Sequence, residues 1–143
     1  LSETARRALR CVAGMMIPAS QEYRVPGADD EAIFADMLRS AGRDTAAIAR
    51  ALADLDARSG GNPADLDPAA RQAAVDAWRA AAGPDFRLLQ RLVLQCYYRD
   101  DRVMRSLGME ARPPFPKGYE IEQGDWSLLD PVRARPKMWR DAP

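Results

Sequence analysis

Along the first two thirds of the chain, apolar side chains recur every three or four positions, the spacing that places them on one face of an α-helix. Residues 2–16 give the first example, with Ser2 as a suitable N-cap and Pro18 as the stop. The apolar face of this helix consists of Ala5, Ala8, Leu9, Val12 and Met16. We therefore predict a helix here, followed by a loop that continues to Ala28.

The same spacing predicts two further short helices. The second opens at Asp29 or Asp30, whose carboxylates suit the positive end of the helix dipole, and it ends at Gly42. The third closes at the Gly60-Gly61 pair. The predicted inward-facing residues of the two helices are Ile33, Phe34, Met37, Leu38, Ala41, Ile48, Ala51, Leu52 and Leu55.

The clearest start signal belongs to the fourth helix, where Asp67 is the cap and Pro68 is the first helical residue. In this helix Val75, Trp78 and several alanines are predicted to face inward, and Gly83 lies just beyond its end. The alternation typical of a β-strand is absent over any useful length of the sequence.

The fifth helix, residues 85–98, has an apolar arc wider than one stripe, which predicts the central helix of the domain. A short sixth turn, residues 100–107, ends at Gly108. We therefore predict an all-α domain over residues 1–108, a bundle of five or six short helices.

The pattern changes after Gly108, and residues 109–143 are rich in proline and aromatic residues. Proline fixes φ, removes a backbone donor and disfavours helix in the residue before it. This segment is therefore predicted to be a long extended tail that does not form helix. Its prolines and large aromatics are Pro113, Pro114, Phe115, Pro116, Tyr119, Trp126, Pro131, Pro136 and Trp139.

The tail contains two of the three tryptophans, although disordered tails are poor in aromatic residues. We predict that Trp126 and Trp139 are buried on another protein, and the alternative is a tail that folds back across its own bundle. The basic residues near the C-terminus either are solvated or contact an acidic groove of a partner, and Tyr98 is either an ordinary surface residue or an interface anchor. The predicted partner-binding residues are Tyr98, Pro113, Pro114, Phe115, Tyr119, Trp126, Arg133, Arg135 and Trp139.

Composition argues against several classes of function. Lys and Arg number 21 and Asp and Glu number 21, so the basic excess typical of a nucleic-acid binder is missing. No apolar run is long enough to insert into a membrane as a helix. Histidine is absent, which removes the commonest general base and the commonest metal ligand. The two cysteines, Cys11 and Cys96, lie at apolar helical positions, where buried free thiols are favoured over a disulfide.

The remaining candidate chemistry is better explained by helix capping. Each acidic cluster lies at a predicted helix start, where carboxylates accept hydrogen bonds from free N–H groups. The segment around Gly60-Gly61 lacks the preceding strand and following lysine of a phosphate-binding loop. We therefore predict no catalytic, cofactor-binding or metal-binding residues in this chain.

Several short motifs occur together along the chain. The first helix runs into the step Met16-Ile17-Pro18-Ala19 before an acidic loop, and a late helix ends in Tyr97-Tyr98. A Leu107-Gly108 step follows, and then a tail that contains Pro113-Pro114 and Gly118-Tyr119. In these motifs, over most of its length, the chain resembles the gluconate 2-dehydrogenase subunit 3 family.

That resemblance implies a small helical partner of a flavoprotein oxidoreductase of the glucose–methanol–choline type, which acts on a sugar or an alcohol. FAD and the catalytic residues are then expected in the large subunit, and this chain is expected to be a non-catalytic accessory subunit of a hetero-oligomer that helps the large subunit to fold or remain stable. Many such proteins carry a twin-arginine leader. Because none is visible here, the expected compartment is the cytoplasm, and the alternative is the periplasm if a leader was removed.

Two other hypotheses remain open from the sequence. The chain could be a free-standing helical regulatory or interaction protein, which would be stable and monodisperse without an enzyme partner. It could also be a small enzyme that uses carboxylates alone, and this hypothesis ranks last because no carboxylate pair is singled out for a raised pKa.

Overall fold

A computed structural model of the chain describes residues 1–81, 83–112, 118, 120 and 122–140. Its contacts divide the chain into two units, Leu1–Ala111 and Arg112–Pro143. We call the first the helical body and the second the C-terminal unit. The division falls at Ala111, close to the boundary that the sequence predicts at Gly108.

The helical body is built from α-helices and short 3-10 turns. The turns Gly42–Asp44 and Pro63–Asp65 lie before α3 and α4. Within the described residues no strand forms, and only an isolated antiparallel bridge joins Ser20 to Val25. The predicted all-α fold is confirmed. The helices are α1 (Glu3–Met16), α2 (Glu31–Ser40), α3 (Thr45–Ser59), α4 (Pro68–Ala80), α5 (Pro84–Tyr98) and α6 (Asp101–Ser106).

Side-chain caps start four of these helices where the sequence predicts them. Ser2, Asp30, Asp67 and Asp100 each accept a hydrogen bond from a backbone N–H in the first turn of α1, α2, α4 and α6. The Asp67 carboxylate accepts two such bonds, both of 3.0 Å, and the ring of Pro68 follows it without loss of a helical hydrogen bond. Because each cap satisfies a donor that the helix leaves unpaired, these residues fix where the helices begin.

The core lies between the apolar faces of the helices. Helix α5 packs against α2, α3 and α6, as expected of a central helix, but α3 also packs against α1, α4 and α5. Two helices therefore share the central position that the sequence assigns to α5 alone. The largest buried side chains include Leu9, Val12, Ile33, Met37, Ile48, Leu52, Leu55, Trp78, Leu89, Val93 and Val103.

Helix α4 differs from its prediction. Trp78 is buried and meets the edge of the Phe86 ring at a centroid distance of 4.7 Å, and Val75 is half-buried. The inward orientation predicted for several alanines is wrong, because α4 packs mainly on α3 and turns its small residues toward solvent, where they contribute helix propensity. The exposed alanines of this helix are Ala69, Ala70, Ala73, Ala77 and Ala80.

An arginine joins two of the helix starts. The Arg102 guanidinium donates to Asp30 at 2.7 Å and to Asp100 at 2.9 Å, so the caps of α2 and α6 share one cation. These hydrogen bonds from Arg102 are the main cause that lowers the pKa of Asp30 and of Asp100. Other ion pairs also connect distant elements, including Arg50 with Asp85 at 2.8 Å.

The C-terminal unit contains helical turns that the sequence analysis did not predict. A 3-10 turn, Trp126–Leu129, leads directly into a one-turn helix, α7 (Asp130–Arg133). The prediction of an extended tail without helix is therefore wrong for these residues. The Asp125 carboxylate caps the turn by accepting from the Ser127 N–H at 3.0 Å, and Pro131 lies in the first turn of α7, where a missing N–H costs nothing.

Candidate functional site

Large apolar side chains are exposed along the C-terminal unit. Trp126 is 60% exposed and Trp139 is 71% exposed, whereas Trp78 in the helical body is 2% exposed. None of the described residues of the C-terminal unit is buried. We call the exposed apolar set the tail apolar surface, and it consists of Trp126, Leu128, Leu129, Val132, Met138 and Trp139.

Three members of the tail apolar surface follow a helical spacing. Trp126, Leu129 and Val132 are three residues apart and lie in the consecutive turns Trp126–Leu129 and Asp130–Arg133. Residues three apart lie above one another in a 3-10 turn and remain neighbours in an α-helix. The two turns therefore present an indole and two aliphatic side chains along one side.

Among the described residues, the polar and cation–π contacts of the two indoles are local. The Trp126 Nε1–H donates to the Gln123 side-chain oxygen at 3.4 Å, a long hydrogen bond between exposed residues. The Lys137 Nζ lies 5.7 Å from the centroid of the Trp139 ring, within the range of a cation–π contact. These contacts orient the rings without removing their apolar faces from solvent.

The two predicted arginines of the C-terminal unit are both exposed and differ in their contacts. Arg133 forms an ion pair with Asp130 at 3.2 Å, within one helical turn. The Arg135 backbone N–H donates to the Val132 carbonyl, which continues the turn, while its side chain remains exposed. Of this pair, Arg135 therefore offers the less compensated charge.

Tyr98 belongs to the helical body, at the end of α5. Its ring is 53% exposed and meets the edge of the Tyr97 ring at a centroid distance of 5.2 Å, while Tyr97 itself is 4% exposed. One ring of this pair therefore enters the core and the other faces outward. The structure thus presents Tyr98 as an exposed surface aromatic of the helical body.

The remaining predicted partner-binding residues, Pro113, Pro114, Phe115 and Tyr119, lie outside the described residues. Sequence reasoning missed the aliphatic part of the tail apolar surface, which is Leu128, Leu129, Val132 and Met138. The signal that could have found it is the three-residue spacing from Trp126, which the two prolines of this region obscured.

Neither cysteine shows the features of a reactive thiol. Cys11 is half-buried and Cys96 is buried, and both are free, so the predicted free thiols are confirmed. Burial is the main cause that raises the pKa of each thiol, so both remain protonated at neutral pH. A search of the described residues for three or more His, Cys, Asp or Glu side chains that could hold a metal ion finds none.

Comparisons with known proteins identify no similar protein. No family model, no curated protein and no solved structure matches the chain. Among the described residues, none of the helices has both the length and the apolar character needed to cross a membrane.

Proposed function

We propose that this chain is a non-catalytic accessory subunit that binds and stabilises a larger protein through its C-terminal unit. The observation that carries the proposal is the tail apolar surface, in which two indoles and four aliphatic side chains are exposed within residues 126–140. A concentration of large exposed apolar side chains is typical of interaction sites in soluble proteins. Tryptophan is also among the residue types that dominate binding energy at interfaces.

The turns over residues 126–133 give this surface a mode of binding. A short helix lays its apolar side into a groove of a partner, and its anchors are spaced by three or four residues, as Trp126, Leu129 and Val132 are. Burial of the exposed part of one indole contributes on the order of 2–4 kcal/mol before the cost of association is subtracted. Two indoles and the aliphatic residues between them would therefore supply a large part of the binding energy that a specific complex requires.

We further propose that the partner is an FAD-dependent sugar or alcohol oxidoreductase of the glucose–methanol–choline type. This assignment rests on the short motifs around Pro18, Tyr97-Tyr98 and Gly108 that resemble the gluconate 2-dehydrogenase subunit 3 family. FAD and the catalytic residues then belong to the large subunit, and the two chains form a hetero-oligomer. The accessory chain stabilises the flavoprotein by binding its folded form, which shifts the folding equilibrium by mass action.

The proposal is tested by co-expression of the chain with a flavoprotein of the glucose–methanol–choline type from the same organism. We expect a yellow complex from the unaltered chain and a loss of affinity of about ten-fold or more for Trp126→Ala and for Trp139→Ala, as is typical of interface hot spots. Tyr23→Ala is the matched control, because Tyr23 is an equally exposed aromatic (67%) in a loop of the helical body.

The results distinguish an error in the proposed binding surface from an error in the proposed function. Co-purification that survives both tryptophan substitutions would overturn the role of the tail apolar surface. A stable, monodisperse chain that never associates with the flavoprotein, even when co-expressed, would overturn the accessory-subunit function and favour a free-standing helical protein.

A further inference from the structure

The helical body contains a shallow, open pocket of about 440 Å³ between α1, the turn Pro63–Asp65 and α4. Three of its lining residues are arginines, from two different helices. The lining consists of Arg7, Arg10, Cys11, Gly14, Met15, Asp29, Ala64 and Arg71.

Arg71 is held rigidly at the edge of this pocket. Its Nε donates to the Pro63 carbonyl at 2.9 Å, and its Nη2 donates to the carbonyls of Leu66 at 2.8 Å and Ala64 at 3.3 Å. All three acceptors are neutral, and among the described residues no carboxylate lies within ion-pair distance of Arg71. The guanidinium therefore keeps its full charge and its remaining Nη1 donors in a fixed orientation.

Arg10 shows the same lack of a carboxylate partner. Its Nε donates to the backbone carbonyl of Asp29 at 3.0 Å, and its guanidinium lies 5.5 Å from the centroid of the Phe34 ring. No ion pair of Arg10 occurs in the described part of the chain. Both Nη groups of Arg10 remain to donate hydrogen bonds to a ligand.

The negative charges near the pocket do not cancel its positive charges. Arg7 pairs with Asp65. Asp29 contributes the other carboxylate, which lies over the small residue Gly14, since a Cβ at that position would come within 2.9 Å of the Asp29 Cγ. Three guanidiniums thus face two carboxylates, and the surplus charge belongs to Arg10 and Arg71.

A second cavity, lined mostly by apolar side chains, shares Met15 with this charged pocket and has a volume of about 240 Å³. Its apolar walls include Met16 and Ile17 at the end of α1, Val75 of α4 and Leu94 of α5, and Gln72, Asp76, Arg79 and Gln90 also line it. A ligand that extends from the arginines past Met15 can therefore place an apolar group against these aliphatic side chains.

We propose that this pocket binds a carboxylate or phosphate group through Arg10 and Arg71, and that the ligand carries an apolar group that enters the cavity beyond Met15. Guanidinium groups with two free donors match the oxygen geometry of both oxyanions. The site belongs to the helical body alone, so the proposal does not depend on the function proposed for the C-terminal unit.

Cys11 provides a reporter for the test, because it lines the pocket and is half-buried, while Cys96 is buried elsewhere. The full chain is treated with iodoacetamide at alkaline pH, so that a fraction of the Cys11 thiol is ionised, and the rate of alkylation at each cysteine is followed by mass spectrometry. The probes are octanoate, octyl phosphate and uncharged 1-octanol, each below the concentration at which it forms micelles. We expect octanoate or octyl phosphate to slow alkylation of Cys11, and 1-octanol to have a much smaller effect.

Arg10→Gln is the decisive variant, and Arg6→Gln is its matched control. Arg6 is also an exposed arginine of α1 whose Nε donates to a backbone carbonyl, that of Leu1 at 3.2 Å, but it does not line the pocket. Arg10→Gln should weaken protection of Cys11 about ten-fold or more, the effect of removing hydrogen bonds to a charged group. Arg6→Gln should leave protection unchanged, and thermal unfolding verifies that both variants are folded.

The comparison of the two anionic probes identifies the preferred oxyanion. The proposal is overturned if 1-octanol protects Cys11 as well as the anions do, if Arg10→Gln behaves like Arg6→Gln, or if none of the three amphiphiles slows alkylation. Acetate and inorganic phosphate test the apolar part of the ligand, since they should protect far less than their octyl counterparts.

Discussion

The helical body buries its tryptophan, whereas the C-terminal unit exposes both of its tryptophans. Trp78 of α4 is 2% exposed and packs against the edge of Phe86, whereas Trp126 and Trp139 are 60% and 71% exposed. In the body, several helices lie against one another and each apolar face has a neighbour. Among the described residues of the C-terminal unit, the short turns have no second layer against them, so helical spacing alone does not bury an indole.

The ion pairs of the two units show the same difference. In the body, Arg102 connects Asp30 and Asp100, which lie at the starts of two helices far apart in sequence. In the C-terminal unit, the pair between Arg133 and Asp130 stays within one turn. Interactions between distant residues resist unfolding of the whole domain, whereas local pairs stabilise only the turn that contains them.

The largest expected difference between the two units is the effect on stability of replacing each tryptophan by alanine. Trp78→Ala should lower the free energy of unfolding by about 3–5 kcal/mol, because it leaves a cavity beside Phe86. Trp126→Ala and Trp139→Ala should change it by no more than about 0.5 kcal/mol, as expected of exposed positions. Urea denaturation of the three variants measures the effect. A loss above about 2 kcal/mol for either tail variant would mean that the tail contributes to the core.

The next test concerns the ion pairs by which Arg102 connects the caps of α2 and α6. Arg102→Ala should lower the free energy of unfolding by about 1 kcal/mol, since two partly exposed pairs are lost together. The control is Arg105→Ala, which removes a pair with Asp101 within a single helix (3.1 Å) and should cost only about 0.3–0.5 kcal/mol. Equal losses for the two variants would contradict a special role for Arg102.

The pH dependence follows from the lowered pKa of Asp30 and Asp100. A carboxyl group whose pKa is lower in the folded state stabilises the protein above its unfolded pKa, and this contribution is lost as the pH falls through the folded pKa. The stability difference between the native chain and Arg102→Ala should therefore be full above about pH 5 and should shrink below about pH 4. Denaturation curves at pH 7 and pH 3 would contradict this if the difference grew on acidification.

The smallest expected effects on stability concern two aspartates that each cap the start of a helical segment. Asp67 caps α4 of the body and Asp125 caps the turn Trp126–Leu129. Asp67→Ala should lower the free energy of unfolding by about 1 kcal/mol. Asp125→Ala should leave global unfolding unchanged and should only increase amide hydrogen exchange in residues 126–133. Global destabilisation by Asp125→Ala would show that the two units unfold together.

Helix periodicity and capping chemistry made most of the body predictable. The spacing around Leu9 and Ile33 identified their helices, and Asp67 followed by Pro68 fixed a helix start to the residue. The alanines of α4 were assigned the wrong orientation, because alanine is compatible with either face of a helix. Which face is covered depends on the packing of α4 against α3, and local sequence does not carry that information.

The candidate site was only partly predictable. Trp126 and Trp139 stood out by residue type, but Leu128, Leu129 and Val132 did not, because Pro131 was interpreted as a helix breaker. A proline in the first turn of a helix is well tolerated, and the Asp125 cap makes a short helical segment possible here. The pocket around Arg10 and Arg71 was not predictable either, since it depends on the approach of α1 and the turn Pro63–Asp65.

The most direct test of the central claim is oxidative footprinting of the three tryptophans, read by mass spectrometry in the free chain and in its complex with the proposed flavoprotein partner. Trp78 is the internal buried reference. The account predicts that Trp126 and Trp139 oxidise much faster than Trp78 in the dilute free chain and become protected in the complex. Indoles that react as slowly as Trp78 in the free chain, or that remain fully reactive in the complex, would contradict it.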